Sequence, residues 1–203
     1  MIKNIIFDIG NVLAHFRWAE YLQFDKGYDR AMVERIGKAS VMCELWAEFD
    51  RGVYTDEEIV QLFVDRDPGI EKELHDAFDY VKGMVTPFDY AKSWIQSYKD
   101  RGFKVWFLSN FSNKCETQCP ESLSFMPLMD GGILSYKEKM VKPNPEIYKR
   151  LLEKCGIKAE ESIFIDDTVV NIEEAERQGI HGVVFKSHEQ AIADAEKIID
   201  MEK

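Results

Sequence analysis

No block of lysine or arginine stands anywhere in this chain, and that absence removes whole classes of partner. Of 203 residues, 26 are Lys or Arg and 37 are Asp or Glu, giving a formal net charge of −11. Nucleic acid and anionic membrane surfaces both demand concentrated positive charge, so neither is an expected partner. Long apolar runs are also missing. The first one, Ile5-Ile6-Phe7, stops at Asp8, too short for the apolar region of a signal peptide and without a cleavage pattern. No stretch approaches the ~20 apolar residues of a membrane-spanning helix. The cytoplasm is the expected address. Cysteine is sparse: Cys43, Cys115, Cys119 and Cys155. Cys115 and Cys119 lack a second ligand pair at zinc-site spacing, and a cytosolic chain of this size needs no disulfides, so reduced structural thiols are expected. No internal repeat and no low-complexity segment is visible.

What is present is a composition of 45% hydrophobic and 31% charged residues. It suits a folded α/β core carrying one smaller accessory domain. Three β-branched or aromatic runs each end in polar residues: Ile5-Ile6-Phe7 before Asp8, Val105-Trp106-Phe107-Leu108 before Ser109-Asn110, and Ile163-Phe164-Ile165 before Asp166-Asp167. Short continuous apolar runs of this kind read as strands buried on both faces, as in parallel sheets. Gly132-Ile133-Leu134 and Val183-Val184-Phe185 are weaker strand candidates. Helices are expected over Phe88–Arg101, which ends before Gly102, over Pro145–Cys155 behind an Asn144 cap, over Asn171–Gln178, and from His188 onward. The alternation predicts a doubly wound parallel, Rossmann-like sheet.

Residues 14–85 interrupt that pattern. They show no convincing strand and four helical stretches: Arg30–Ala39, Val41–Phe49, Thr55–Val64 and Ile70–Val81. Thr55 and Glu58 have capping-box spacing. The expected architecture is an α/β core of residues 1–13 and 86–203, with a helical cap, 14–85, inserted after the first strand.

Open parallel sheets bind ligands beyond the carboxyl ends of their strands. The three strongest strands deliver Asp8, Ser109-Asn110 and Asp166-Asp167 to that edge. Carboxylates gathered there repel one another unless a cation lies between them. Hard oxygen donors with open coordination positions favour Mg2+, which keeps waters and accepts phosphate oxygens.

These residues also stand in a known order. Ile5-Ile6-Phe7-Asp8-Ile9-Gly10-Asn11-Val12 resembles the first motif of the haloacid-dehalogenase-like superfamily. Phe107-Leu108-Ser109-Asn110 resembles its second, Val141-Lys142-Pro143-Asn144-Pro145-Glu146-Ile147-Tyr148 its third, and Phe164-Ile165-Asp166-Asp167-Thr168 its fourth. The resemblance implies a phosphatase acting on small phosphorylated substrates, in which Asp8 attacks phosphorus and forms an aspartyl-phosphate. It implies magnesium held by Asp8, the Gly10 carbonyl and Asp167, with Asp166 acting through water or a hydrogen bond. Phosphate would be bound by Ser109, the backbone near Asn110, and Lys142, which also orients Asp8.

One position departs from the phosphatase pattern. The family's usual general acid-base, an Asp two residues after the nucleophile, is here Gly10. Three outcomes follow: a phosphatase whose leaving group needs little help, such as a sugar 1-phosphate; a dehalogenase, against which the acidic pair 166–167 argues; or a non-catalytic phosphometabolite binder. The Asp-x-Gly-Asn-Val version, with Arg51-Gly52-Val53-Tyr54-Thr55-Asp56-Glu57, resembles the bacterial glucose-1-phosphate phosphatase group. In the cap, Trp18, Trp46, Glu48 and Arg51 are candidates for facing the substrate, and His15, close in sequence to Asp8 and at the start of the insertion, for either an acid-base or a structural, hinge role.

Overall fold

A computed structural model of the chain describes residues Met1–Met201. Five strands form one parallel sheet in the order β5-β4-β1-β6-β7: β1 (Asn4–Phe7), β4 (Lys104–Ser109), β5 (Gly131–Leu134), β6 (Ser162–Asp166) and β7 (His181–Val184). Every residue of β1 and β6 is buried. Helices cover both faces, which is why these strands read as continuous apolar runs rather than alternating ones.

Side chains alternate between the two layers. Ile5, Phe7, Ile163 and Ile165 join the large cluster that includes Trp94 and Tyr98 of α6 (Ala91–Asp100) and Ala191 and Ala195 of α11 (His188–Met201). Ile6, Leu108 and Phe164 face the other layer, against Ile147, Tyr148 and Leu151 of α9 (Pro145–Cys155) and Ile172 and Ala175 of α10 (Val169–Arg177). Phe7 meets Trp94 edge-on at 4.7 Å between ring centroids. The α9 helix begins as the sequence predicts, with Asn144 Oδ1 accepting from the Glu146 amide at 2.9 Å and Pro145 in the first turn.

Between β1 and β4 the chain leaves the sheet. It forms α1 (Trp18–Glu20), α2 (Arg30–Ala39), α3 (Leu45–Arg51), α4 (Asp56–Arg66) and α5 (Glu71–Asp79), packed around the aromatic group Trp46, Phe49, Phe63 and Phe78. The capping box at the start of α4 is formed in both directions. Three details differ from the sequence expectation. Residues 14–85 do contain strand: β2 (Ala14–Phe16) pairs antiparallel with β3 (Val85–Pro87), joining the two ends of the insertion. Each strand is three residues long and its partner lies at the far end of the insertion, so no local period betrays it. For the same reason α6 starts at Ala91 rather than Phe88, because the Phe88 amide donates to the Leu13 carbonyl at 3.0 Å and stays with the strand pair. The α3 helix is displaced from 41–49 to Leu45–Arg51, after a turn in which Ser40 Oγ donates back to the Ile36 carbonyl at 2.7 Å. Two short helices complete the core, α7 (Asn113–Gln118) and α8 (Ser135–Glu138).

Candidate active site

The sheet changes direction of growth at β1. From β1 the chain builds β4 and β5 on one side, then crosses to build β6 and β7 on the other. Ligands collect at such a point, outside the carboxyl ends of the strands. Register then decides which side chains meet. Phe7 stands opposite Phe107 and Ile165, so Asp8 emerges level with Asp166, and the Asp8 amide donates to the Ile165 carbonyl at 2.9 Å. One carboxylate oxygen each from Asp8, Asp166 and Asp167 lie within 4.8 Å of one another.

Lys142 Nζ reaches into this group from the loop before α9. It lies 2.6 Å from Asp166 Oδ2 and 2.9 Å from Asp8 Oδ1, with its side chain 1% exposed. The Asp166 contact is a well-formed hydrogen bond; the Asp8 contact is a close ion pair whose angle leaves Asp8 Oδ1 without a hydrogen bond. Burial works against the Lys142 charge, but Asp166 and Asp8 together hold its pKa above the ordinary value. Burial raises Asp8 to about 7, with Lys142 opposing the rise and Asp166 adding to it.

The two acids of the fourth motif differ in their surroundings. Asp166 is fully buried and also accepts from the Thr168 amide at 2.8 Å and from Asn171 Nδ2 at 3.1 Å. Asp167 is only partly buried; Asn11 Nδ2 donates to it at 3.2 Å and Thr168 Oγ1 at 3.3 Å. Burial, the largest influence, raises its pKa. Asp8, Gly10, Asn110, Asp167 and Thr168 line one cavity with Ser112, Phe16, Trp46, Val85 and Phe111. Ser109 is 1% exposed, and its Oγ lies near enough to the Asp8 carboxylate to favour the charged form without making a well-formed hydrogen bond.

The Asn110 side chain is already engaged: its Oδ1 accepts from the Lys142 amide at 2.8 Å and its Nδ2 donates to the Lys142 carbonyl at 3.1 Å. Of the insertion residues singled out above, Trp46 lines the cavity. Trp18 packs instead against Gly37, and Glu48 pairs with Arg51 at 3.3 Å. His15 lies in β2 and stacks on Phe88 at 5.8 Å. Asp50 was not foreseen. It sits one helical turn beyond Trp46, so the two share a face of α3, and that face looks onto the cavity. Burial pushes the Asp50 carboxyl up to about 8, and the nearby Asp8 charge adds to the rise. The i, i+4 relation to Trp46 was the available signal. Asn11 and Asn171, which steady Asp167 and Asp166, were likewise unforeseen as partners.

Comparison with known proteins identifies the family. The haloacid dehalogenase-like hydrolase family matches residues 2–179. The chain belongs to that family and is a hydrolase of the superfamily. Among curated proteins it is 26% identical over 181 residues to the sesquiterpene phosphatase astK of Aspergillus oryzae, covering 89% of this chain and 88% of the relative. It is 24% identical over 156 residues to flavin mononucleotide hydrolase 1 of Arabidopsis thaliana, spanning 74% of this chain and 60% of that protein's length. Among solved structures, a HAD-like family hydrolase of Porphyromonas gingivalis superposes with a TM-score of 0.74 at 24% identity, covering 98% of both chains. A HAD family enzyme of Bacteroides thetaiotaomicron, in complex with magnesium and inorganic phosphate, superposes with a TM-score of 0.68 at 24% identity, over 93% of this chain and 96% of that one. No helix among the described residues is long and apolar enough to cross a membrane, and all four cysteines are free.

Proposed function

We propose that this protein is a cytoplasmic, magnesium-dependent phosphatase of small phosphorylated metabolites, sugar phosphates first, working through an aspartyl-phosphate on Asp8. One observation carries the reading: three carboxylates and a buried lysine meet at the carboxyl edge of the sheet, with Ser109 Oγ buried beside them and held by no well-formed hydrogen bond. Buried polar atoms left unmatched cost free energy unless a ligand supplies the partner. The relatives named as a phosphatase and a flavin mononucleotide hydrolase support the same class of substrate.

The donor set fits Mg2+, being all oxygen and partly open. Asp8, the Gly10 carbonyl and Asp167 would hold it, and Asp166 would orient them from behind. When bound, the ion neutralises charge on the phosphoryl oxygens and on the nucleophile. Asp8 then attacks phosphorus in line with the departing oxygen. Ser109 Oγ and the main chain near Asn110 donate to the phosphoryl oxygens, and Lys142 supplies positive charge where negative charge grows. The Asn110 side chain serves this indirectly by fixing Lys142. The helices of 14–85 act as a cap that excludes bulk water and shapes the leaving-group side of the cavity, with Phe16, Trp46 and Val85 as its apolar wall.

The test is a panel of p-nitrophenyl phosphate, sugar 1- and 6-phosphates, a prenyl phosphate and flavin mononucleotide, each with magnesium and with chelator. Turnover that survives Asp8→Asn or chelation would overturn the mechanism. Binding of phosphate without turnover across the whole panel would favour the second reading prompted by Gly10, a phosphometabolite-binding protein.

A further inference from the structure

Cleaving a phosphomonoester leaves an oxygen that must be protonated, and hydrolysing the acyl phosphate that follows requires a base for water. Gly10 has no side chain to do either. A Cβ built there meets nothing within 4 Å, so the space beside the nucleophile is open. The other titratable groups facing the cavity are committed or inert. Asp8 is the nucleophile, Asp167 is bonded to Asn11 and Thr168, and burial pushes the Cys115 thiol up to about 12. Lys142 is shared between Asp8 and Asp166.

Asp50 is different. It lines the same cavity as Asp8 and Gly10 and is 9% exposed; burial and the charges of Asp8 and Lys142 act on its carboxyl, but no hydrogen bond to it does. Its backbone, by contrast, is held firmly. Ser135 Oγ accepts from the Phe111 amide at 2.9 Å and donates to the Asp50 carbonyl at 2.6 Å, tying Asp50 to the loop that follows Ser109. Two residues on, Gly52 ends α3 in the left-handed region at φ 66°, where a Cβ would come within 2.8 Å of Tyr136 Cβ. Asp56 at the start of α4 pairs with Lys114 of α7 at 3.0 Å. The segment is fastened to the core on both sides of an acid that feels the Lys142 charge without being bonded to it. Its oxygens open onto the cavity rather than onto a packed partner, so packing alone does not account for a carboxyl at this place.

We propose that Asp50, reaching in from the helical insertion, is the general acid-base of this enzyme and performs the proton transfers that position 10 cannot. The proposal rests on the Asp8 reading above. In the first step an Asp8 oxygen bonds to phosphorus, the bond from phosphorus to the leaving oxygen breaks, and that oxygen takes its electron pair and the Asp50 proton. In the second, Asp50 carboxylate removes a proton from water as the water oxygen bonds to phosphorus. The bond to Asp8 then breaks, releasing phosphate and restoring both carboxyls. Burial favours the protonated form of Asp50 that the first step needs.

The experiment compares wild type and Asp50→Asn, with magnesium, on p-nitrophenyl phosphate, phenyl phosphate and an alkyl phosphate. Expected is a loss of ~10²–10⁴-fold on the alkyl ester, a much smaller loss in the first turnover of the nitrophenyl ester, and phosphorylated Asp8 accumulating in the variant by mass spectrometry. Asp50→Glu, which keeps a carboxyl, should preserve the wild-type ratio of alkyl to aryl turnover, and it serves if the amide variant fails to fold. An equal loss on all three esters in the first turnover, or no loss on any, overturns the proposal. Asp8→Asn distinguishes the two readings: turnover that survives in it sinks the nucleophile, whatever Asp50 does.

Discussion

Asn110 holds Lys142 by both ends of one amide, accepting from its main-chain N–H at 2.8 Å and donating to its carbonyl at 3.1 Å. The second motif thereby fixes the third, and the lysine side chain is delivered between Asp8 and Asp166.

Asn110→Asp keeps the acceptor but sets a carboxylate oxygen against the Lys142 carbonyl, whereas Asn110→Ala removes both bonds. Either change should cost about 1–3 kcal/mol of stability by urea unfolding. With Asn110 acting through Lys142, the loss of activity should fall mainly on kcat rather than KM.

Lys142→Met leaves Asp8 and Asp166 facing each other without a cation. Breaking a buried pair in this way costs roughly 3–5 kcal/mol, and the loss of charge stabilisation should lower kcat by on the order of 10²–10³-fold. Denaturant curves and steady-state rates, measured together, separate the two effects. Wild-type activity in this variant would remove Lys142 from the mechanism.

Magnesium should raise the melting temperature of the wild type. At a concentration 100 times Kd the stabilisation is about 2.7 kcal/mol, several degrees for a chain of this length. Asp167→Asn should lose most of that shift in a calorimetric scan with and without chelator. A full shift in that variant would assign the ion to other ligands.

The metal-free protein should lose stability as pH rises from about 4 to 8. Asp8 and Asp50 have folded pKa values raised to about 7 and about 8 from an ordinary 3.8, both chiefly by burial. Across that window the folded state binds more protons than the unfolded one, so the slope of stability with pH is negative. Asp50→Asn deletes one of the two contributions, for which roughly 6 kcal/mol is a ceiling. With chelator present, the variant should melt several degrees above wild type at pH 9 and close to it at pH 4.5. Parallel melting curves at all pH values would show that the Asp50 carboxyl is not desolvated.

Much of the core was legible because burial on both sheet faces writes itself as apolar runs. Ile5–Phe7, Val105–Leu108 and Ile163–Ile165 all lie within observed strands. The acids and hydroxyl at their ends needed no long-range information, since a parallel sheet sends every carboxyl terminus to the same edge. The insertion was harder to read. Short paired strands such as Ala14–Phe16 with Val85–Pro87 carry no period of their own, and the start of α3 depends on a turn around Ser40 rather than on helix propensity.

The sequence by itself determined the parallel sheet, the place of Asp8, Ser109, Lys142, Asp166 and Asp167 along it, and the missing side chain at Gly10, because these follow from local apolar runs and motif order. Only the tertiary structure decided which insertion residues meet that edge. The direction a helix face points is set by packing between distant segments, here Ser135 against the Asp50 carbonyl and Lys114 against Asp56. That packing turns Trp46 and Asp50 toward the cavity and leaves Glu48 and Arg51 paired with each other.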